Sequence, residues 1–344
     1  MTDMLNLREF MEKINSGEEP LSLSPAATSG MNPFAGKWPM EAAESRPDYP
    51  LLIKYDEPMS GHTTFKVGGK ADVWVRPGKA LFPAYAARLL KAAREEGIPV
   101  FILGGGANTV VSDAGLRGIV LDTADYSGIT RQQDGPVSVL GGTSVDELTD
   151  SLAAQGLSGL EFLAGMPGSV GGALWMNARC YDKSVSDALI ETTILDESFR
   201  QQTIPFRAED FSYKKSPFQN RDVLILSARF AVQPREPEDL RKEIAAYRQD
   251  RTDKGHYRFP SAGSAFKNNR DFGSPTGKII DQLGLRGLRK GGAQVAPWHG
   301  NIVINTGNAA ASDIRQLMDD IARRVKEARG FELESEILFV GDWG

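Results

Sequence analysis

A glycine- and proline-rich run at residues 163–173, LAGMPGSVGGA, constrains the fold of this chain more than any other part of the sequence. Glycine lets the backbone adopt crowded or left-handed conformations and approach a ligand closely, whereas proline fixes one dihedral angle and removes a donor. Backbone N–H groups that no side chain covers form a cradle for a pyrophosphate. The run therefore predicts either a phosphate-binding loop or a tight connection between two elements.

Two further glycine runs favour the phosphate-binding interpretation. Residues 99–103 are typical of a short buried strand, and the sequence GGGANT follows directly at residues 104–109. Residues 137–140 are typical of another strand, and Gly141 and Gly142 follow it. Three such loops predict a long phosphate-bearing ligand that lies across several strand ends. A Rossmann site is disfavoured, because Thr109 stands where its fingerprint needs a third glycine.

Composition limits the classes of function. The 344 residues suffice for two or three domains, and the net charge of −5 without a basic block argues against a nucleic-acid partner. The single cysteine, Cys180, excludes an internal disulfide and fits a reducing compartment, and the three histidines lack metal-ligand spacing. No long apolar run is present. We expect a cytoplasmic protein with no membrane span and no metal.

The first half of the chain predicts an extension followed by a nucleotide-binding arrangement. Residues 1–50 combine a short amphipathic helix at 5–14 with a stretch rich in glycine, proline and serine. Residues 63–75 predict two strands around a Gly68-Gly69 turn, and a helix at 81–96 precedes the strand at 99–103. Further on, Ser144 and Glu147 predict a capped helix, and strands return at 190–195 and 223–230.

A proline-bounded break at residues 234–237 predicts the start of another unit. A helix is expected at 237–253, a second after Ser274 and Pro275, a strand at 302–305, and a helix capped by Ser312 and ended by Gly330. Residues 331–340 alternate apolar and acidic side chains. This alternation predicts a strand with three glutamates on one face, for which exposure to solvent is the simplest interpretation.

Six ordered motifs between residues 63 and 341 resemble the UDP-N-acetylenolpyruvoylglucosamine reductase family. They are TFKVGG at 64–69, GGGANT at 104–109, GMPGSVGG at 165–172, GSAFKN at 263–268, GGAQV at 291–295 and LESE at 333–336. The glycine loops would suit other flavoproteins of the vanillyl-alcohol-oxidase-like superfamily. The motifs around Ser264 and Glu336 are the specific ones.

The resemblance implies an α+β fold with an FAD-binding domain of the vanillyl-alcohol-oxidase/PCMH type and a separate α+β substrate-binding domain. The expected divisions are an extension at 1–50, FAD-binding subdomains at about 51–122 and 123–235, and the substrate-binding domain at 236–344. NADPH would reduce FAD, and the reduced flavin would pass a hydride to the enolpyruvyl group of a nucleotide sugar. The product, UDP-N-acetylmuramate, is a peptidoglycan precursor, and we expect the protein to be a monomer.

The resemblance also implies the residues of the site. Ser264 matches the proton-donor position of the family, and Glu336 matches the second glutamate of its LExE motif. Lys214 stands where the family usually has the arginine of a Tyr-Arg-x-Ser motif, and Arg179 stands where it usually has glycine. We hypothesise that Lys214 and Arg179 together hold the substrate carboxylate, because an ammonium adds a point charge to two parallel guanidinium donors. The simpler interpretation is that Arg179 is a surface residue.

The remaining site residues are implied as ligands of the cofactor or of the substrate. The cofactor set is Lys66, Gly104, Gly105, Gly106, Ala107, Asn108, Thr109, Gly141, Gly142, Gly165, Pro167, Gly168, Val170, Gly171 and Gly172. The substrate set is Tyr213, Arg251, Lys267, Asn268, Gln282 and Gln294. Two alternatives stay open at this point: an FAD-dependent oxidase of a small alcohol or lactone, and a non-catalytic nucleotide-sugar-binding protein. The oxidase would not need the Ser264 and Glu336 motifs, and only the lysine at position 214 supports the binder.

Overall fold

The computed structural model of the protein describes residues 4–16, 51–131 and 135–344. Of the predicted extension at 1–50, residues 17–50 lie outside the described residues, and the helix expected at 5–14 is described as part of α1. Within the described ranges, the helices are α1 (Met4–Ser16), α2 (Phe82–Glu95), α3 (Val145–Ala154), α4 (Val170–Trp175), α5 (Pro237–Asp253), α6 (Thr276–Gln282) and α7 (Ala311–Arg329). None of these helices is long and apolar enough to cross a membrane.

The strands fall into three groups along the chain. The first group is β1 (Leu51–Pro58), β2 (Lys70–Pro77), β3 (Val100–Leu103), β4 (Thr109–Val111) and β5 (Leu116–Asp122). The second is β6 (Ile129–Arg131), β7 (Val137–Leu140), β8 (Leu157–Ser158), β9 (Arg179–Cys180), β10 (Lys183–Ser184), β11 (Leu189–Leu195), β12 (Gln201–Pro205), β13 (Leu224–Phe230) and β14 (Gln233–Pro234). The third is β15 (Arg289–Lys290), β16 (Ala293–Val295), β17 (Val303–Asn305) and β18 (Leu338–Val340).

A four-stranded sheet in the order β1-β2-β5-β3 carries the first glycine loop. β5 pairs in parallel with both β2 and β3, so the chain must cross over between them, and α2 makes that crossover. The helix buries Phe82, Tyr85 and Leu89, which recur on one face. The predicted helix at 81–96 and strand at 99–103 are therefore confirmed. The loop at 104–109 leaves the sheet at the carboxyl end of β3.

The prediction of two strands at 63–75 is wrong in its first half. Only residues from Lys70 onward form a strand, β2, and its antiparallel partner is β1. Residues 63–69 form a turn, because Lys66 has φ 55° and Gly68 has φ 124°, values that a β-strand cannot accommodate. The Lys66 N–H donates to the Thr63 carbonyl at 3.1 Å and closes this turn.

A five-stranded antiparallel sheet in the order β12-β11-β13-β7-β6 carries the second glycine loop. Val137, Val139 and Phe230 are fully buried on it, which fixes the register of β7 against β13. The Gly141 N–H donates to the Leu226 carbonyl at 2.7 Å where β7 ends. The capping box is confirmed on its serine side, because Ser144 Oγ accepts the Glu147 N–H at 3.1 Å and starts α3.

The last part of the chain packs α6 and α7 on the antiparallel sheet β15-β16-β17. Gly330 ends α7 with φ 73°, as expected, but Ser312 does not cap the helix. The cap comes from far along the chain: the Asp113 carboxylate accepts the Ala311 and Ser312 N–H groups at 2.8 and 2.9 Å. The continuous strand predicted at 331–340 is also wrong, because only β18 is a strand, and it pairs in parallel with β4.

Helix α5 matches its predicted bounds, Pro237–Asp253. Its buried Leu240 and Ile244 pack with Ala153 of α3 and with Ala164, so it lies against α3 and the segment that precedes the third glycine loop. Mixed sheets with helices segregated on their faces confirm the α+β class. The domain divisions near residues 122 and 235 stay a prediction.

Candidate active site

A cavity of about 1350 Å³ lies where the two larger sheets and the last part of the chain meet. It exceeds the roughly 300–1,000 Å³ of a typical small-molecule site, so it has room for a dinucleotide and a further ligand. All three glycine loops contribute to its wall. The predicted cofactor residues that line it are Lys66, Gly104, Gly105, Gly106, Ala107, Asn108, Thr109, Gly141, Gly165, Pro167, Gly168, Gly171 and Gly172.

The glycine loops pack backbone against backbone, and this packing requires glycine. A Cβ atom on Gly105 would lie 2.5 Å from Gly168 Cα, and one on Gly104 would strike Ser169 Oγ. The Gly171 N–H donates to the Gly141 carbonyl at 2.8 Å, which ties the second and third loops together. The result is a cradle of bare backbone of the kind that binds pyrophosphate.

Two predicted cofactor residues support the loops from behind. A Cβ atom on buried Gly142 would strike the Thr123 carbonyl oxygen, and Val170 is 1% exposed within the core. Neither residue belongs to the cavity wall. Their direct contact with a cofactor stays a prediction.

One wall of the cavity carries an ion pair that is largely shielded from solvent. Lys214 Nζ lies 2.5 Å from Glu336 Oε1, and the two side chains are only 14% and 11% exposed. Ser264 lines the same cavity. The backbone joins these segments, because the Glu336 N–H donates to the Ala265 carbonyl at 2.9 Å. A cation, a carboxylate and a hydroxyl therefore face one space.

The first glycine loop contacts this wall directly. Asn108 Nδ2 donates to the Glu336 carbonyl at 2.8 Å, and the Leu338 N–H donates to the Asn108 carbonyl at 2.9 Å. The pairing of β18 with β4 begins at the next residue, Thr109. The pyrophosphate cradle and the Lys214–Glu336 pair are therefore held at a fixed spacing.

Comparisons with known proteins identify this arrangement. A family model described as UDP-N-acetylenolpyruvoylglucosamine reductase, C-terminal domain, matches residues 255–340, and one described as FAD binding domain matches residues 83–198. The UDP-N-acetylenolpyruvoylglucosamine reductase of Treponema denticola is 41% identical over 312 residues, which cover 85% of this chain and 94% of the relative. The chain belongs to the UDP-N-acetylenolpyruvoylglucosamine reductase family. That of Treponema pallidum is 38% identical over 338 residues, with 85% and 94% coverage.

A solved member of the family has the same fold. The crystal structure of UDP-N-acetylenolpyruvylglucosamine reductase from Thermus caldophilus aligns with a TM-score of 0.68 at 32% sequence identity. The alignment covers 84% of this chain and 98% of that one. The predicted α+β fold with an FAD-binding domain is thus confirmed, and the glycine cradle fits FAD, whose pyrophosphate needs uncovered backbone N–H groups.

Arg179 has partners of its own in this member of the reductase family. Its guanidinium contacts Asp182 Oδ1 and Ser184 Oγ, each at 3.3 Å, and it lines the cavity. Lys214, by contrast, contacts Glu336. The hypothesis that Arg179 and Lys214 share the substrate carboxylate stays a prediction.

Two of the predicted substrate residues line the cavity. Arg251 is 9% exposed, and its Nε donates to the Ala164 carbonyl at 3.0 Å. The Asn268 N–H reaches Tyr213 Oη at 3.4 Å. The other predicted residues lie outside the wall: Tyr213 is 41% exposed, Lys267 pairs with Glu334 at 2.6 Å, Gln282 accepts from Arg329, and Gln294 donates to the Gly287 carbonyl. Their roles as substrate ligands stay predictions.

Sequence reasoning missed two cavity residues that directly precede the Ser264 motif. Tyr257 Oη donates to the Gly165 carbonyl at 2.6 Å, while the Gly165 N–H donates to Asp146 Oδ1 at 2.8 Å. Both backbone groups of this loop residue are therefore held by side chains. Burial, helped by the charge of Arg251, lowers the pKa of His256 to about 4, so the imidazole is neutral at pH 7. The sequence signal that could have indicated His256 and Tyr257 is their position shortly before the Ser264 motif.

Proposed function

We propose that this protein reduces UDP-N-acetylenolpyruvoylglucosamine to UDP-N-acetylmuramate, a peptidoglycan precursor, with FAD as cofactor and NADPH as reductant. We further propose that it works in the cytoplasm as a monomer. The observation that carries the proposal is the partly buried Lys214–Glu336 pair, which lies on one cavity wall with Ser264 and beside the glycine cradle. A positive charge kept at position 214 beside Glu336 argues against a non-catalytic binder, although lysine stands there instead of arginine.

Lys214 would stabilise the charge that develops during reduction. Hydride addition to an enol ether conjugated with a carboxylate moves negative charge onto that carboxylate. A cation held in a water-poor site stabilises such charge far more than one in bulk water, and Lys214 is 14% exposed. Glu336 keeps the ammonium in place before substrate binds. Lysine retains the charge of the arginine usual in the family but supplies a single donor direction.

Ser264 would deliver the proton that completes the reduction. The hydride adds to one carbon of the enolpyruvyl double bond, and the neighbouring carbon then takes a proton from the Ser264 hydroxyl. A serine hydroxyl is a weak acid unless developing negative charge assists it. The backbone fixes its position, because Ser264 forms a β-bridge with Ile302 and the adjoining Ala265 accepts the Glu336 N–H at 2.9 Å.

FAD, when bound, accepts a hydride from NADPH and donates one to the substrate. The chain would hold its pyrophosphate through the loops at 104–109, 141–142 and 165–172. Asn108 would set the distance between this cradle and Glu336, since its side chain donates to the Glu336 carbonyl at 2.8 Å.

The proposal is tested with the purified protein under anaerobic conditions. NADPH should bleach the visible flavin absorbance, and the enolpyruvyl nucleotide sugar should restore it and yield UDP-N-acetylmuramate, identified by mass spectrometry. UDP-N-acetylglucosamine, which lacks the enolpyruvyl group, is the control and should restore nothing. Reoxidation by oxygen but not by the enolpyruvyl sugar would support an oxidase instead, and a protein that binds the sugar without turnover would be a binder.

A further inference from the structure

The cavity continues past the glycine cradle on the side away from Lys214 and Glu336. Asn108 connects the first loop to Glu336, whereas Gly141 lies at the other side of the cradle, bonded to the Leu226 carbonyl at 2.7 Å. From Gly141 the wall follows β13 back to Leu224 and Asp222. This second end of the cavity contains none of the groups that the proposed reaction uses.

Two facing walls of the second end are apolar, one from α2 and the turn after it and one from the second sheet. Leu90 and Ile98 belong to α2 and the turn after it, and Leu195 and Leu224 belong to β11 and β13. Ile98, Leu195 and Leu224 are at most 8% exposed. A flat apolar ring system fits between such walls, with polar groups of Arg94, Arg221 and Asp222 at their edge.

Arg94, on the last turn of α2, closes this end. Its NH1 donates to the Glu197 carbonyl at 2.5 Å, and its NH2 lies 3.3 Å from Asp222 Oδ2. Its guanidinium carbon lies 4.4 Å from the centre of the Phe199 ring, a cation–π geometry. One side chain of the first sheet thus reaches the β11–β12 turn of the second sheet.

The β11–β12 turn is built to hold Phe199 in this place. Phe199 has φ 60°, a left-handed conformation that is rare for a bulky aromatic residue. Asp196 fixes the turn, since its carbonyl accepts the Phe199 N–H and its Oδ1 accepts the Ser198 and Arg200 N–H groups at 2.8 and 2.9 Å. Arg221 adds a two-pronged contact to Glu197 at 2.6 and 2.9 Å.

We propose that Arg94 and Phe199 form a clasp that holds the adenosine half of FAD. The inference rests on the proposed function, because the reactive flavin half must lie at the Lys214–Glu336 end and the pyrophosphate in the glycine cradle. The second end is then left for adenosine. A purine is flat and aromatic, so it packs against apolar walls and against an aromatic or guanidinium plane.

The test measures binding of FAD, FMN and ADP to the flavin-stripped full-length protein, by fluorescence quenching for the flavins and calorimetry for ADP. Arg94→Ala should raise the Kd for FAD and for ADP by about 5- to 30-fold, the range expected for one cation–π contact. The Kd for FMN should not change, because FMN has no adenosine. Phe199→Leu should give the same pattern.

Lys91→Ala is the matched control, because Lys91 lies one turn earlier on α2 and pairs with Glu95 at 3.9 Å on the exposed face. It should change none of the three constants. Equal losses of FAD and FMN affinity in Arg94→Ala would overturn the clasp, as would an unchanged ADP constant. A wild-type protein that binds no flavin would contradict the proposed function instead, so the two failures are distinguishable.

Discussion

Among single residues, we propose that Lys214 and Glu336 form a contact that serves the reaction rather than the stability of the fold. A buried ion pair contributes little to stability, because the cost of removing two charges from water offsets their attraction. This pair is nevertheless largely buried and faces a cavity with a hydroxyl on the same wall. Lys214 also has φ 56°, so the backbone holds the lysine in an uncommon conformation to keep it there.

The two cations of the site can be separated by substitution. Lys214→Ala should slow reduction of the enolpyruvyl sugar by about 10²–10³-fold, the usual loss when a charge-stabilising donor is removed. If Arg179 shares the carboxylate, Arg179→Ala should slow the same step and the double variant should lose less than the product of both effects. Stopped-flow reoxidation of the reduced flavin measures each rate. If the rate in Arg179→Gly is unchanged, Lys214 is the single cation that acts on the substrate. The contact of Arg179 with Asp182 would then be its only role in the wild-type protein.

Ser264→Ala should separate the two half-reactions. Bleaching by NADPH needs no proton from Ser264, so its rate should stay near that of the wild type. Reoxidation by the enolpyruvyl sugar should slow by about 10²–10⁴-fold, the range for general acid catalysis. Ser198→Ala, at an exposed turn position, serves as the control and should change neither rate. Equal slowing of both half-reactions would make Ser264 a structural residue.

At the scale of elements, the glycine loops offer a test that distinguishes ligand contact from protein packing. Gly172 is exposed, and a Cβ there would be 3.4 Å from Ser169 Oγ, an ordinary contact. A Cβ on Gly171 would press on the Gly141 carbonyl oxygen at 3.0 Å. Gly172→Val should therefore abolish bound flavin and leave the unfolding free energy of the apoprotein unchanged, while Gly171→Val should lower both. The flavin-to-protein absorbance ratio and chemical denaturation measure this, and full flavin occupancy in Gly172→Val would contradict the cradle.

The cap on α7 gives a stability prediction with a defined pH dependence. Burial alone would raise the pKa of Asp113, but hydrogen bonds from Ser312 and the Ala311 N–H outweigh it and lower the pKa below 3.8. The folded state thus favours the ionised carboxylate, so its stabilisation is present above pH 3.8 and is lost as the pH falls through the lower folded value. Asp113→Ala should lower the unfolding free energy by about 1 kcal/mol at pH 7. Asp113→Asn should restore part of it, and a loss that persists below the folded pKa would contradict the cap.

Elements with local signals were predictable, and those defined by distant partners were not. Helix α5 begins at its predicted residue because Pro237 marks its first turn, and it ends at Asp253 as predicted. The start of α7 was misassigned, since its cap, Asp113, lies about 200 residues earlier. Residues 331–340 alternate like a strand, but only the last three form one, paired with β4, while Ser335 makes a single bridge with Phe266. Alternation indicates which side chains of a segment can be buried. Whether the segment forms a strand depends on a neighbouring strand that a distant part of the chain must supply.

At the scale of the whole molecule, the site was likewise predictable only where a local motif marks it. The motifs led to the glycine loops, Ser264 and Glu336, all of which face one cavity apart from Gly142 and Val170. They gave no indication of Arg94 and Phe199, which meet across two sheets, or of Tyr257, which holds the Gly165 carbonyl. These contacts join segments about 90 to 105 residues apart, so no local sequence pattern indicates them.

The final prediction follows from how the cavity is assembled. Its wall takes residues from the first sheet, the second sheet and the C-terminal part, so FAD binds only when all three are folded and in place. A ligand that binds only the folded state stabilises it by mass action, by about 2.7 kcal/mol at a free concentration of 100 Kd. For a chain of this size, that stabilisation should raise the unfolding midpoint by roughly 4 °C. Calorimetry of the flavin-stripped protein with and without added FAD measures this shift in the unfolding midpoint.

Gly172→Val, which should not bind FAD, is the matched control and should show no shift. If added FAD also left the unfolding midpoint of the wild-type protein unchanged, the prediction that FAD binds across the two sheets and the C-terminal part would be wrong.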